Sequence, residues 1–283
     1  MSALLTSARS YLYVPGDRPD RFTKAATSGA DAVVLDLEDG VGAAGKDAAH
    51  SAVADHARTA GVQWWVRVDP ARLVDGLCAA ARPGTSGVFV PSAEPRLLAE
   101  VDRQLTAIEA ERGLPRLAVI GLLETAVGVA DVRLVAASPR IHRLGIGEAD
   151  LAAALGMRPD PQRRELWSVR SDLVVASALA GIEQPVGPVE TGLQDLDALA
   201  SSTALLVRQG FAARTLIHPR QVPVVHDALA PTEDEIAGAR KVLQALDRAT
   251  HDGSGVAVDE RGVFVDAAVA RSARAVLARV ARA

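Results

Sequence analysis

The chain predicts an α/β fold, a (β/α)8 TIM barrel with a helical extension at its C-terminal end, on three observations. Eight apolar, strand-like runs alternate with segments of helical pattern. The polar residues that leave six of these runs, Glu38, Arg67, Ser92, Glu124, Asp150 and His218, are spaced by 29, 25, 32, 26 and 68 residues. The last interval fits two units, so the period stays near thirty residues. Finally, no glycine-rich phosphate fingerprint follows the first run, which disfavours a doubly wound open sheet. In a barrel, the polar residues at the C-terminal ends of the strands gather on one rim.

Taken in order, the first strand is YLYVP (Tyr11 to Pro15), followed by a turn and a helix that ends at Gly29. AVVLDLEDG (Ala32 to Gly40) reads as a strand covered on both faces, with Asp36, Glu38 and Asp39 where it emerges. A helix over Ala43 to Thr59 leads to VQWWVRVDP, which carries Arg67 and Asp69. A short helix (Leu73 to Ala81) precedes the fourth strand, GVFVPSAEP, ending at Pro91. Leu117 to Leu123 and Ile141 to Ile146 are strands five and six, separated by an Ala- and Val-rich helical segment. EQPVGPV (Glu183 to Val189) is a weak seventh, because two prolines interrupt it, and TLIHP (Thr215 to Pro219) is the eighth. These elements make residues 1–230 the barrel domain. Residues 231–283 form an arm: a helix opened by Thr232 with Glu235 three positions later, an HDGSG link and a terminal helical run. This arm exceeds what a barrel needs, which suggests that it packs on a neighbouring subunit or closes the site.

Composition narrows the function. The 283 residues are 49% hydrophobic but only 3% aromatic, so the core is expected to rest mainly on Ala, Val and Leu. A net charge of -4 offers no basic field for nucleic acid. Cys78 stands alone, which excludes an intrachain disulfide and a Cys-based zinc site and suits a reducing cytoplasm. No apolar run reaches the roughly 18 to 20 residues that span a bilayer, and MSALLTSARS lacks a signal-peptide core. A cytoplasmic protein without a membrane partner is expected. Nucleophile-elbow, Walker-loop and zinc motifs are missing.

The chemistry centres on Glu124 and Asp150, the acids that leave strands five and six. Parallel strands joined by a helix lie side by side, so the two carboxylates should meet and hold Mg²⁺, with room left for water and substrate. First-turn acids also cap helices, and that is the competing role. Glu38 and Asp39 would anchor water ligands, and a bound cation would explain four acids in one place. Arg67 presents a planar fork suited to a substrate carboxylate, or else an ion pair with a neighbouring acid. His218 reads either as a base or as a loop-fixing hydrogen-bond partner. Trp64 and Trp65 read as core. Arg18, Arg21 and Lys24 follow the first strand and either meet a phosphate-bearing ligand or form a solvated face.

The same residues lie in blocks that resemble a known family. RSYLYVPGDRPDRFTKA, DAVVLDLEDGV, WVRVD, LLETAVGV, GIGEADLAAALG, GFAARTLIHPRQVPVV and RGVFVDAAVARSA are similar, in order, to the CitE-like group. This is the citrate lyase β-subunit branch of the HpcH/HpaI aldolase superfamily. The resemblance implies a TIM barrel that uses Mg²⁺ to cleave or form a carbon-carbon bond in an acyl-CoA such as citryl-, malyl- or citramalyl-CoA, with an acyl-CoA and a keto acid as partners. It implies Glu124 and Asp150 as metal ligands, Arg67 as holder of the carboxylate, and Glu38 and Asp39 beside the metal waters. It also implies that Asp266 reaches into a neighbouring subunit's site as a base, in a homo-oligomer that is commonly a trimer. Two blocks depart from the family pattern: Pro91 is followed by Ser92 instead of lysine, and the seventh strand reads QPVGPVETG. Those departures keep open a thioester hydrolase on the same scaffold and a non-catalytic CoA-binding subunit.

Overall fold

The structure, a computed structural model, describes residues 8–251, 256–258 and 264–280. Eight parallel strands close into a barrel in sequence order: β1 (Ser10–Pro15), β2 (Ala32–Asp36), β3 (Gln63–Arg67), β4 (Thr85–Val90), β5 (Ala118–Leu123), β6 (Ile141–Ile146), β7 (Val186–Gly187) and β8 (Ala213–Leu216). Around them run α1 (Phe22–Ala26), α2 (Lys46–Asp55), α3 (Leu73–Ala80), α4 (Pro95–Arg112), α5 (Ala126–Ala130), α6 (Val132–Ala136), α7 (Glu148–Ala154), α8 (Trp167–Ala180) and α9 (Leu196–Arg208). Helix α10 (Gln221–Leu229) follows β8. The expected (β/α)8 barrel is therefore present.

Three aromatic residues meet at the barrel axis. Tyr11, Trp65 and Phe89 meet edge to face at 5.4 to 5.9 Å between ring centres, and all three are fully buried. Val186 and Ala213 complete this layer from the opposite wall, so large side chains on β1, β3 and β4 face small ones on β7 and β8. Ala, Val and Leu dominate the shell as expected, but aromatics fill the centre. The bulk of Trp65 imposes a further requirement on β4: a Cβ at Gly87 would stand 2.5 Å from its ring and 2.3 Å from Ala118 O. Trp64 faces outward, where its Nε1 donates to Thr59 O.

Helix α2 is shorter than the expected Ala43 to Thr59, and three strands differ from the sequence reading for local reasons. Strand β2 stops at Asp36, before the expected Gly40, because the Asp36 carboxylate accepts the N–H groups of Glu38 and Gly40, both at 2.9 Å, and closes a turn. Strand β7 keeps only two residues, since Pro185 and Pro188 on either side have no N–H to donate. Strand β8 lies two residues earlier than expected. Arg214 N donates to Arg9 O, while Gln221 Oε1 takes the N–H groups of Ile217 and His218 and ends the ladder.

The chain divides into two compact units, residues 1–225 and 226–283. In the second, α11 (Glu233–His251) packs with α12 (Ala267–Val280) beside a two-stranded antiparallel pair, β9 (Ala257–Val258) and β10 (Phe264–Val265). The expected capping box is formed, with Glu235 N donating to Thr232 Oγ1 and Thr232 N donating to Glu235 Oε2. Of the HDGSG link, residues 252–255 lie outside the described residues. No helix among the described residues is long and apolar enough to cross a membrane.

Candidate active site

The C-terminal ends of β2 and β3 converge through one arginine. Arg67 Nε and Nη2 donate to the two oxygens of Asp36 at 2.7 and 2.5 Å, a bidentate pair. Its Nη1 lies 2.7 Å from Glu38 Oε2 and 3.6 Å from Asp39. The Glu38 contact is ionic without hydrogen-bond alignment. Tyr13 from β1 supports the guanidinium, whose carbon sits 4.9 Å from the ring centre. Burial opposes the charge on Arg67, but the hydrogen bonds and field of Asp36 outweigh it and raise its pKa. Of the two roles read from the sequence, the structural ion pair is present, through Asp36, and the third nitrogen of Arg67 lies against Glu38.

Lys46 fixes the loop that carries Glu38. Its Nζ donates to Leu37 O and Glu38 O and pairs with Asp69, each at 2.8 Å, so the ammonium's three donors are satisfied.

Glu124 emerges from β5 and is 7% exposed. Its Oε2 accepts the N–H of Ser92 at 2.7 Å, from the exit of β4. Gly147, which leaves β6 and donates its N–H to Leu123 O, lies against the other oxygen: a Cβ there would fall 2.4 Å from Oε1. Burial pushes the Glu124 pKa up to about 7, and Asp150 opposes its ionisation further. Asp150 itself is exposed in the first turn of α7, from where its charge acts on Glu124. Glu38 is pushed up to about 8, chiefly by burial, with Glu124 and Asp39 adding to the effect. Among the described residues no group of three His, Cys, Asp or Glu side chains is arranged to hold a metal. Two carboxylates with water and substrate oxygens form the kind of site a hard cation with several exchangeable ligands takes.

Several candidates are held by local partners. Arg18 turns to Asp20 in an exposed pair at 2.7 Å. Asp266 belongs to the second unit, where its Oδ1 accepts the N–H groups of Ala268 and Val269 and caps α12. Those bonds hold its carboxyl below the usual range. His218 Nδ1 accepts the N–H of Arg220, the loop-fixing role. Sequence reasoning gave no role to Lys46 or Glu148, and saw in Asp36 only an acid at a strand exit. Their signal was weak because each is defined by a partner 9 to 31 residues away.

The family model for HpcH/HpaI aldolase/citrate lyase matches residues 9–219. The chain belongs to this family. Among HpcH/HpaI relatives, the citrate lyase subunit beta of Leuconostoc mesenteroides subsp. cremoris is 30% identical over 95% of this chain and 92% of its own. The L-malyl-CoA/beta-methylmalyl-CoA lyase of Rhodobacter capsulatus is 30% identical over 95% of this chain and 93% of its own. The crystal structure of CitE from Mycobacterium tuberculosis, in complex with magnesium, acetoacetate and coenzyme A, matches with a TM-score of 0.80 at 30% identity. That match covers 98% of this chain and 99% of the other, so the likeness to the M. tuberculosis protein reaches beyond the residues that the family model matches.

Proposed function

We propose that the chain is a Mg²⁺-dependent carbon-carbon lyase that acts on a β-hydroxyacyl-CoA and yields an acyl-CoA and a keto acid. The observation that carries this reading is the pair Glu124 and Asp150. A buried carboxylate is held by one backbone N–H, with a second acid beside it that resists its ionisation. A divalent cation relieves that repulsion, and these residues fit one. The magnesium, acetoacetate and coenzyme A bound by the M. tuberculosis protein, and the acyl-CoA substrates named for the R. capsulatus lyase, support the same chemistry.

Glu124, oriented by the Ser92 N–H, and Asp150 would hold the cation, which would supply Lewis-acid polarisation of a substrate oxygen. Arg67 offers Nη1 to the substrate carboxylate, while Asp36 keeps the fork in place. Glu38 and Asp39 face the same space and orient water. A base takes the hydroxyl proton, the carbon-carbon bond breaks, and its electron pair passes to the thioester α-carbon, which is then protonated. We assign the base to Asp266 of a neighbouring copy in a homo-oligomer, of trimeric type. A cytoplasmic setting agrees with the free, half-buried Cys78.

The test incubates the enzyme with citryl-, malyl- and citramalyl-CoA and resolves the products by mass. Keto acid plus shortened acyl-CoA, lost with EDTA and in Glu124→Gln or Asp150→Asn, is expected. Free acid with its carbon skeleton intact would identify a thioester hydrolase, and absence of turnover with retained CoA binding a non-catalytic subunit; either overturns the proposal.

A further inference from the structure

Five charged side chains on the β6 to β8 side of the barrel form a chain that the proposed reaction does not use. Arg170 Nε donates to Glu148 Oε1 at 2.6 Å and Arg163 Nη1 donates to Glu148 Oε2 at 3.0 Å, so both oxygens of this carboxylate are held. The same Arg163 guanidinium lies 3.7 Å from Glu190, which Arg214 approaches at 3.5 Å. The Glu148 side chain is 0% exposed, Arg170 5% and Arg214 2%, while Arg163 is 26% exposed. A carboxylate enclosed to this degree is retained only where charged donors satisfy it.

The chain links two places that backbone pairing leaves loosely joined. Glu148 is the first residue of α7 and Asp150 the third, so whatever holds Glu148 also holds the turn that presents Asp150. Glu190 follows β7, whose two residues make few ladder bonds. Side chains reinforce that segment instead: Arg214 Nε donates to Pro188 O, Thr215 Oγ1 to Gly187 O and Gln221 Nε2 to Glu190 O. Arg163 stands between the two with a left-handed backbone, φ 54°, kept there by its N–H bond to Asp160 O at 2.8 Å. One donor from α8 and one from Arg163, on separate oxygens, fix both the position and the rotation of the helix start.

We propose that Arg163 is a positioning residue: by bridging Glu148 and Glu190 it ties α7, and with it Asp150, to the segment after β7. This inference rests on Asp150 being a cation ligand. It gives the divergent QPVGPVETG block a task, since its Glu190 anchors the bridge.

Mn²⁺ binding to the full chain, counted by electron paramagnetic resonance, tests the role independently of turnover. Arg163→Met and Glu190→Gln are each expected to raise the Mn²⁺ Kd about tenfold, the range for residues that orient a metal ligand. The double variant is expected to lose no more than the worse single one, and Arg163→Lys to recover part of the affinity. Affinity within twofold of wild type in Arg163→Met, or additive losses in the double variant, overturns the proposal. Should Arg163→Met fail to fold, Glu190→Gln and Arg163→Lys decide by the same criterion. Asp150→Asn separates this inference from the one beneath it. If that variant binds Mn²⁺ as wild type does, the metal-site reading fails and the positioning role with it. If it loses Mn²⁺ while Arg163→Met and Glu190→Gln keep it, only the positioning role fails.

Discussion

The backbone N–H of Ser92 donates to Glu124 Oε2 at 2.7 Å from a residue held at φ 49°. Non-glycine residues occupy this left-handed region at a cost of about 1 kcal/mol or more, so the turn is kept for what its N–H reaches. The hydroxyl takes no part in this bond. Ser92→Ala is therefore expected to leave Mg²⁺ affinity within about twofold of wild type, and Ser92→Gly to keep it while removing the strain. Ser92→Pro, which has no N–H and cannot keep φ near 49°, is expected to weaken Mg²⁺ binding about tenfold or more. Titration calorimetry checks the order; equal loss in the alanine and proline variants would return the role to the side chain.

Gly147 closes the other side of the same carboxylate. A methyl group there would stand 2.4 Å from Glu124 Oε1, and the carboxylate would have to turn away from the end of β6. Gly147→Ala is expected to fold, because φ of -95° suits alanine, yet to lose Mg²⁺ affinity about tenfold or more. Calorimetry together with a melting curve separates the two effects.

Arg67 and Asp36 are both largely buried, with side chains 13% and 4% exposed. Removing one partner of such a pair leaves the other charge enclosed and costs about 3–5 kcal/mol. Arg67→Met should lower unfolding stability by that order and abolish turnover. Arg67→Lys keeps the charge but not the fork, so a smaller stability loss with a raised KM for the acid portion is expected. Urea denaturation and steady-state kinetics measure the two; a stable, active Arg67→Met protein would refute the assignment.

The raised pKa values predict a pH dependence in the absence of metal. Burial first, and neighbouring acids second, lift Glu124 to about 7 and Glu38 to about 8, against about 4.3 for a free glutamate. Between about pH 4.3 and 8 the folded protein then binds more protons at these sites than the unfolded chain does, so their contribution to stability falls as pH rises. In EDTA, melting temperature is expected to decline from pH 5 to pH 8, and added Mg²⁺ to raise it more at pH 8 than at pH 5. The Glu38→Gln, Glu124→Gln double variant should flatten this decline; an identical slope would assign it to other groups.

Much of the molecule was legible along the chain. The thirty-residue spacing of polar strand exits, the apolar runs and the Thr232/Glu235 box are local or periodic, and the barrel and the α11 cap follow from them. Glu124, Asp150, Arg67 and Glu38 could be grouped along the chain because a parallel barrel sends every strand exit to one rim. Where residues meet across that rim was not legible. Asp36 was read as one more acid at a strand end, yet it takes two nitrogens of Arg67 and two backbone N–H groups.

By itself, then, the sequence determined the fold class, the rim and the acids on it, since periodicity and residue type are properties of the chain. Only the tertiary structure decided the partners: that Arg67 is clamped by Asp36, that an amide of Ser92 and the bare Cα of Gly147 set Glu124, and that Glu148 is held by two arginines. The reason is physical. A carboxylate's ionisation, orientation and affinity for a cation depend on burial and on donors within about 3 Å, and folding brings those donors from strands and helices far apart in the chain.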